Sequence, residues 1–326
     1  MREVTIGKND AGQTLQKYLQ KNLYRMPASL LQKSIRKGRV RQNGKKVTDP
    51  HCMLCVGDLL SLYINDEFFE KTPPKNDYLF APADLNILYE DDNILLVDKP
   101  AGLAVHDFDG AGSDTLINRI LHLLTLRGEY DSACEGAFAP ALCNRIDRNT
   151  CGIVIAAKNA AALREMNALI RDRRLLKKYH CLCRGLPPKP ADEVRLYLEK
   201  LENENRCLVR QRPAPGCKTA VTRYKTLWQN GLFSLLEVTL LTGRTHQIRA
   251  TLSHLGCPIL GDGKYGKSAA ADRAIGFPYQ ALCSCFLAFS CPDGFFAYLD
   301  GKSFSVPDIW FEKTIKTLPA RTSSKP

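Results

Sequence analysis

Asn144-Arg145-Ile146-Asp147-Arg148-Asn149-Thr150-Cys151-Gly152 runs directly into the apolar segment Ile153–Ala157. A short apolar run bounded by polar, turn-forming residues reads as a buried strand. Asp147 therefore stands at the mouth of that strand, with Arg145 on one side and Arg148 on the other. A carboxylate there faces opposed pressures, because burial disfavours its charge while a neighbouring guanidinium favours it. It is a candidate for chemistry, and the structural alternative is a turn cap or an ion pair with Arg145.

The segments on either side extend the pattern. Upstream, Leu85–Tyr89, a turn at Asp91-Asp92-Asn93 and Ile94–Val97 read as two strands, the second stopped by Lys99-Pro100-Ala101-Gly102. Thr115–Leu126 has helical spacing, and a long helix is expected over Ala160–Leu176 with Arg171, Arg173 and Arg174 on its exposed face. Further strands are expected at Tyr179–Cys183, Val221–Leu227, Phe233–Leu241 and Phe295–Leu299. Many strands and few helices, without regular strand-helix alternation, imply an α+β fold.

Composition bounds the function. The 326 residues, 44% hydrophobic and 25% charged, are those of a globular protein. The N-terminus is charged at once and no apolar run is long enough to span a bilayer, so a cytoplasmic protein without membrane association is expected. Residues 1–60 hold 12 Lys+Arg against 4 Asp+Glu, or +8 of the total +12. A basic segment of that kind suggests a polyanionic partner, with nucleic acid ahead of an acidic membrane surface. The 13 cysteines are read as reduced, small hydrophobic residues. The C-x-x-C of Cys52 and Cys55 lacks a second pair, and no metal site is expected.

Within that basic segment, Leu15, Tyr18 and Leu19 lie on one helical face, and Pro27-Ala28-Ser29 opens a second helix with Ser29 as its expected N-cap. Lys33, Arg36, Lys37 and Arg39 crowd the exposed side and end of this helix, and Lys45 and Lys46 follow the turn Asn43-Gly44. Two helices and a basic hairpin, with Ser34–Val40 and Val56-Gly57-Asp58, resemble the S4 RNA-binding domain. Residues 65–82, rich in charge and proline, read as a linker, and the tail from 319 as disordered.

A second dense motif, Thr242-Gly243-Arg244-Thr245-His246-Gln247-Ile248-Arg249, follows a strand. Its arginines and glutamine could position phosphates or grip a carboxylate bidentately. Gly261 through Ser268 fits the phosphate-loop pattern G-x-x-x-x-G-K-[ST]. However, Pro258 shortens the strand that should lead into it, and the apolar run ending at Asp98 precedes it where nucleotide hydrolases place such a segment after. There is no H-E-x-x-H and no G-x-S-x-G.

Four segments in order resemble the RluA-like pseudouridine synthases: Val97–His106, Asn144–Gly152, Lys177-Lys178-Tyr179, and Gly243–Arg249 with Gly261-Asp262 and Tyr265-Gly266. The resemblance implies a catalytic domain over 83–318, with a mixed, largely antiparallel sheet and flanking helices, behind an S4-like domain over 1–64. It implies isomerisation of uridine in RNA, with ribosomal RNA favoured over transfer RNA. The rival readings are a non-catalytic RNA-binding or ribosome-assembly protein and a P-loop NTPase.

Carried over residue by residue, Asp147 is the catalytic carboxylate, acting as nucleophile or base. Tyr179 stacks on the base, and Arg244 pairs with Asp147. Arg145 enters the RNA where the uridine leaves. Arg249, His246 and Gln247 join Lys33, Arg36, Lys37, Arg39 and Lys45 as RNA contacts. No cofactor is implied, and a monomer is expected. The chain departs from the family's H-R-L-D pattern at Asn144 and Ile146, and has Cys151 where the family usually has serine.

Overall fold

The computed structural model describes residues 1–319, apart from Tyr24, 70–75, 107–111, 133–137, 202–203, 205 and 267–268. At the N-terminus, β1 (Arg2–Thr5), α1 (Leu15–Asn22), α2 (Ala28–Arg36), β2 (Val40–Gln42), β3 (Lys45–Lys46) and β4 (Leu59–Leu62) follow in order. The strands form an antiparallel sheet in the order β1-β4-β2-β3. Leu15 and Leu19 of α1 and Leu31 and Ile35 of α2 close over Val40, Leu60 and Leu62, all buried. The hairpin between β2 and β3 turns at Asn43 (φ 52) and Gly44 (φ 79), as a two-residue loop with two positive φ values requires. Asp58 braces it by accepting bonds from the Gln42 and Asn43 side chains at 2.6 and 2.8 Å.

Two local expectations change here. α2 begins at Ala28, so Ser29 lies inside the helix, and Pro27 occupies the cap position without a side-chain bond. Proline suits this end because its missing N–H would have no intrahelical partner. The expected linker 65–82 carries two short 3-10 turns, Asp66–Phe69 and Asn76–Phe80, which the buried Phe69, Tyr78 and Ala81 tie down. Most of the expected tail lies outside the described residues.

The larger sheet uses β5 (Ile87–Glu90), β6 (Ile94–Lys99), β7 (Ala141–Leu142), β8 (Cys151–Ala157), β9 (Leu175–Arg184) and β10 (Ala191–Leu201). It continues with β11 (Arg206–Arg210), β12 (Lys218–Gln229), β13 (Phe233–Leu240), β14 (Leu282–Phe289) and β15 (Ser303–Ser305). The order is β11-β10-β12-β13-β9-β14-β8-β6-β5, with β15 beside β14 and β7 beside β8. Every pairing is antiparallel except β8 with β14. Helices α3 (Leu116–Leu126), α4 (Ala160–Arg171), α5 (Gln247–His254) and α6 (Ala269–Ala274) flank the sheet. Asn159 caps α4, its side chain accepting the Ala162 N–H at 2.8 Å.

The fold is α+β, as the pattern implied. Two element assignments are corrected. The helix expected over Ala160–Leu176 stops at Arg171. Arg173 then takes φ 58, and Leu175-Leu176 already belong to β9. The strand expected over Phe295–Leu299 is a 3-10 turn at Ala297–Leu299. The two units touch where Asn9 Oδ1 accepts the Ala160 N–H at 3.2 Å and Arg164 donates to the Ala11 carbonyl at 3.2 Å.

Candidate active site

β8 is buried along its whole length, and the loop before it delivers Asp147 to the edge of the core. Gly152 passes β14 so closely that a Cβ there would stand 2.3 Å from the Ser284 carbonyl oxygen, and its φ of +106° is open only to glycine. Thr150 is buried and accepts a bond from Gln280 at 2.6 Å. On the loop's other side, the Lys99 ammonium donates to the carbonyls of Pro100, Leu103 and Arg148 at 2.9, 2.8 and 2.9 Å. Gly102 and Arg148 are also bonded backbone to backbone. Burial pushes Lys99 down to about 7, against the pull of Asp147 and Asp98 towards the charged form. Lys99 thus closes the 99–103 turn with two bonds and fastens it to the Asp147 loop with the third.

Asn144 has a structural role. Its side-chain oxygen accepts the Ile155 N–H at 2.8 Å and its amide nitrogen reaches the Ile153 carbonyl at 3.5 Å. The side chain thereby satisfies the edge of β8, which an amide can do without a titratable ring. Ile146 is buried.

Asp147 Oδ2 accepts a bond from Arg249 Nη1 at 2.6 Å. The other two nitrogens of this guanidinium, Nε and Nη2, grip both oxygens of Asp262 at 2.8 Å each. Asp262 is fully buried, and Arg249 is nearly so. Burial raises the Asp262 carboxyl, but Arg249 and the Lys264 and Tyr265 N–H groups outweigh it and hold it below its ordinary value. Burial likewise works against the charge of Arg249, and the two carboxylates reverse that and push it up. Tyr265 adds its ring face, 5.2 Å from Arg249 and 5.3 Å from Arg206.

This geometry corrects three readings of the second motif. Arg244 does not pair with Asp147; it is exposed, and its Nε donates to the Thr219 carbonyl at 3.0 Å. α5 begins at Gln247 and carries Arg249 inward, whereas Arg244 is left on the loop before it. Arg249 is an internal clamp and not a surface RNA contact. Gln247 is also buried, donating to Val221 and Thr222 and accepting from Thr242 and the Arg244 N–H. With every polar atom of its side chain engaged, it locks the loop to β12 and has nothing left for a ligand.

Tyr179, on β9, is buried, and burial pushes its phenol up to about 12, with Asp147 adding to the rise and Ser284 opposing it. His246 lies beside the carboxylate, with Nε2 3.9 Å from Asp147 Oδ2. Arg145 is exposed on the same loop. Lys33, Arg36, Lys37, Arg39 and Lys45 are all exposed on the N-terminal unit. In the phosphate-loop candidate, Asp262 takes the N–H groups of Lys264 and Tyr265, and Asp272 takes that of Gly261. These three backbone donors, which such a loop would offer a phosphate, are thus spent internally; Lys267 and Ser268 lie outside the described residues. The described cysteines are free thiols. No described helix is long and apolar enough to cross a membrane.

Asp262, quoted within the resemblance but given no role from the sequence, is the residue that grips Arg249 beside Asp147. Its signal was its place in Gly261-Asp262, directly after a strand-like run and near the second motif.

Residues 93–254 match the family described as RNA pseudouridylate synthase. An uncharacterized RNA pseudouridine synthase of Chlorobaculum parvum is 33% identical over 276 residues, covering 83% of this chain and 80% of that protein. A ribosomal large subunit pseudouridine synthase C of Vibrio cholerae is 34% identical over 267 residues, covering 81% and 80%. Among solved structures, human RNA pseudouridylate synthase domain containing 4 shares the fold, with a TM-score of 0.54 and 24% identity over 69% of this chain and 89% of its own.

Proposed function

Since the chain belongs to the RNA pseudouridylate synthase family, and is thus an RNA-modifying isomerase, we propose that Asp147 is its catalytic carboxylate and large-subunit ribosomal RNA its substrate. The observation that carries the first assignment is the Arg249 clamp, which holds a partly exposed carboxylate in a fixed direction, at 2.6 Å from a buried guanidinium, with the buried Tyr179 nearby. In the reaction the N1–C1′ bond breaks, the uracil turns and C5 joins C1′. The C5 proton leaves and N1, which carried none while bonded to C1′, gains one, so nothing is oxidised or transferred to a second molecule. Asp147 acts on the ribose. Tyr179 offers the base a stacking face, and a phenol held near 12 stays neutral in that role.

The uridine must first leave its stack, at a cost of about a few kcal/mol, and exposed Arg145 is placed to fill the gap. The N-terminal unit serves as an S4-like RNA-binding domain, its exposed Lys33, Arg36, Lys37, Arg39 and Lys45 meeting phosphates without reading sequence. The ribosomal substrate is favoured by relatives named as large-subunit enzymes. The enzyme works in the cytoplasm, as a monomer. Asp147→Asn should abolish tritium release from RNA labelled at uridine C5 while leaving RNA affinity within about threefold; an active variant overturns the assignment. Carbodiimide mapping in a deletion strain should show a pseudouridine missing from large-subunit RNA. Loss from transfer RNA alone would overturn the substrate.

A further inference from the structure

His246 occupies the left-handed region (φ 52, ψ 22) immediately before α5. A non-glycine residue held there marks a position whose surroundings impose it. The consequence is that the imidazole is packed against Tyr265, rings 5.6 Å apart and edge to face, with its far nitrogen turned towards Asp147. Its Nδ1 lies 3.1 Å from the Tyr265 hydroxyl. That hydroxyl already accepts the Cys207 N–H at 2.7 Å, and the Cys207 thiol is directed to the Thr245 carbonyl at 3.2 Å.

The proton positions follow from this chain of donors. The Tyr265 oxygen receives one N–H, and its own proton needs an acceptor. A bare Nδ1 supplies it, which leaves the ring proton on Nε2. The Asp147 carboxylate independently favours the same tautomer, since an N–H pointing at a carboxylate is attracted and a lone pair repelled. Burial holds the ring below the ordinary imidazole range, with Arg249 and Lys264 acting in the same direction and Asp147 and Asp262 against it, so the ring is neutral near pH 7.

The Nε2–Asp147 distance of 3.9 Å is too long for a direct bond. It suits one bridging oxygen, because two groups each about 2.8 Å from a shared hydroxyl and near a right angle stand about 4 Å apart. We propose that neutral His246 donates from Nε2–H to the 2′-oxygen of the target ribose while that hydroxyl donates to Asp147, so that the pair clamps the sugar and selects RNA over DNA. This rests on the reading of Asp147 as the residue that acts on the ribose. The 2′-hydroxyl, both donor and acceptor, is the group that distinguishes the two nucleic acids.

Nitrogen-15 spectra of the full chain, selectively labelled at its six histidines and assigned with His246→Gln, test the tautomer without any turnover. Wild type at pH 7 should show the Nε2–H form at His246, and Tyr265→Phe should weaken that preference, leaving only the part that Asp147 supplies. Uridine 5′-monophosphate should shift the Nε2–H signal, and 2′-deoxyuridine 5′-monophosphate should not. An Nδ1–H tautomer, an imidazolium, or equal shifts with both nucleotides would overturn the proposal. In tritium release from a large-subunit RNA transcript, His246→Ala should lower kcat by about 10–100-fold with KM within threefold, and His246→Gln should recover part of it. A rise in KM alone would also overturn it. If wild type leaves that transcript unmodified, the substrate assignment fails while the tautomer result still stands or falls alone.

Discussion

Replacing Arg249 by lysine should destabilise the protein far more than removing Arg244, although the two arginines sit in one short motif. Arg249 is 6% exposed and makes three charge-assisted bonds, one to Asp147 at 2.6 Å and two to Asp262 at 2.8 Å. A lysine keeps the charge, but its single ammonium cannot fork between two carboxylates at these positions. Losing two such bonds, each about 1.5–3 kcal/mol, gives a cost of about 3–5 kcal/mol once the ammonium re-forms part of the contact. At about 2–4 °C per kcal/mol for a domain of this size, the melting temperature should fall by on the order of 10 °C. Arg244→Ala removes one exposed bond to the Thr219 carbonyl and should cost no more than about 1 kcal/mol. Urea unfolding followed by circular dichroism gives both values, and tritium release should show Arg249→Lys nearly inactive and Arg244→Ala largely active. If Arg244→Ala were the more destabilised or the less active variant, the clamp would have been assigned to the wrong residue.

Lys99 titrates near 7 in the fold against about 10.4 in an unfolded chain, so between these values the unfolded state binds more protons and stability rises with pH. Compared with Lys99→Met, wild type should gain about 2 kcal/mol between pH 7.5 and 9, and parallel urea midpoints across that range would refute this. Gly152→Ala places a Cβ 2.3 Å from the Ser284 carbonyl oxygen at φ +106°. It should cost roughly 3–5 kcal/mol from backbone strain and overpacking together. A variant melting within about 3 °C of wild type would show that β8 and β14 can part without penalty.

The segments that were legible carry their own periodicity. α1 and α3 and the core of β8 follow from apolar spacing, and the Asn43-Gly44 hairpin from its turn chemistry. Asp147 and Tyr179 were legible because each stands beside such a segment. The boundary of α4 was not, since the chain leaves the helix at Arg173 with positive φ and no glycine or proline to announce it. Strand β10 escaped notice because its sequence, Ala191-Asp192-Glu193-Val194-Arg195, is charged on the face left open to solvent. The choice between Arg244 and Arg249 depends on where α5 begins, and that is set by the αL backbone of His246, a tertiary effect without a local signature. Asn144 could be placed only once its bonds to β8 were seen.

The division of the Arg249 fork bears on how Asp147 works. Two parallel bonds to Asp147 would have occupied both carboxylate oxygens and turned it into a structural ion pair. Here Asp262 takes that bidentate position, and only one nitrogen is left for Asp147. Among the described residues, the bond from Arg249 and the approach of His246 both run to Oδ2, so Oδ1 remains available to a substrate. Asp262 is therefore a positioning residue, which orients the guanidinium so that it fixes the direction of Asp147 without capping it. The arrangement sets two carboxylates against one guanidinium, with a histidine and two tyrosines that stay neutral around them. A surplus negative charge at a buried site is costly, and partial exposure of Asp147 at the mouth relieves it. The basic residues of a chain with net charge +12 favour the approach of an RNA phosphate backbone, and under the proposed role of Asp147 the one carboxylate left open at the mouth is the one that would meet the ribose.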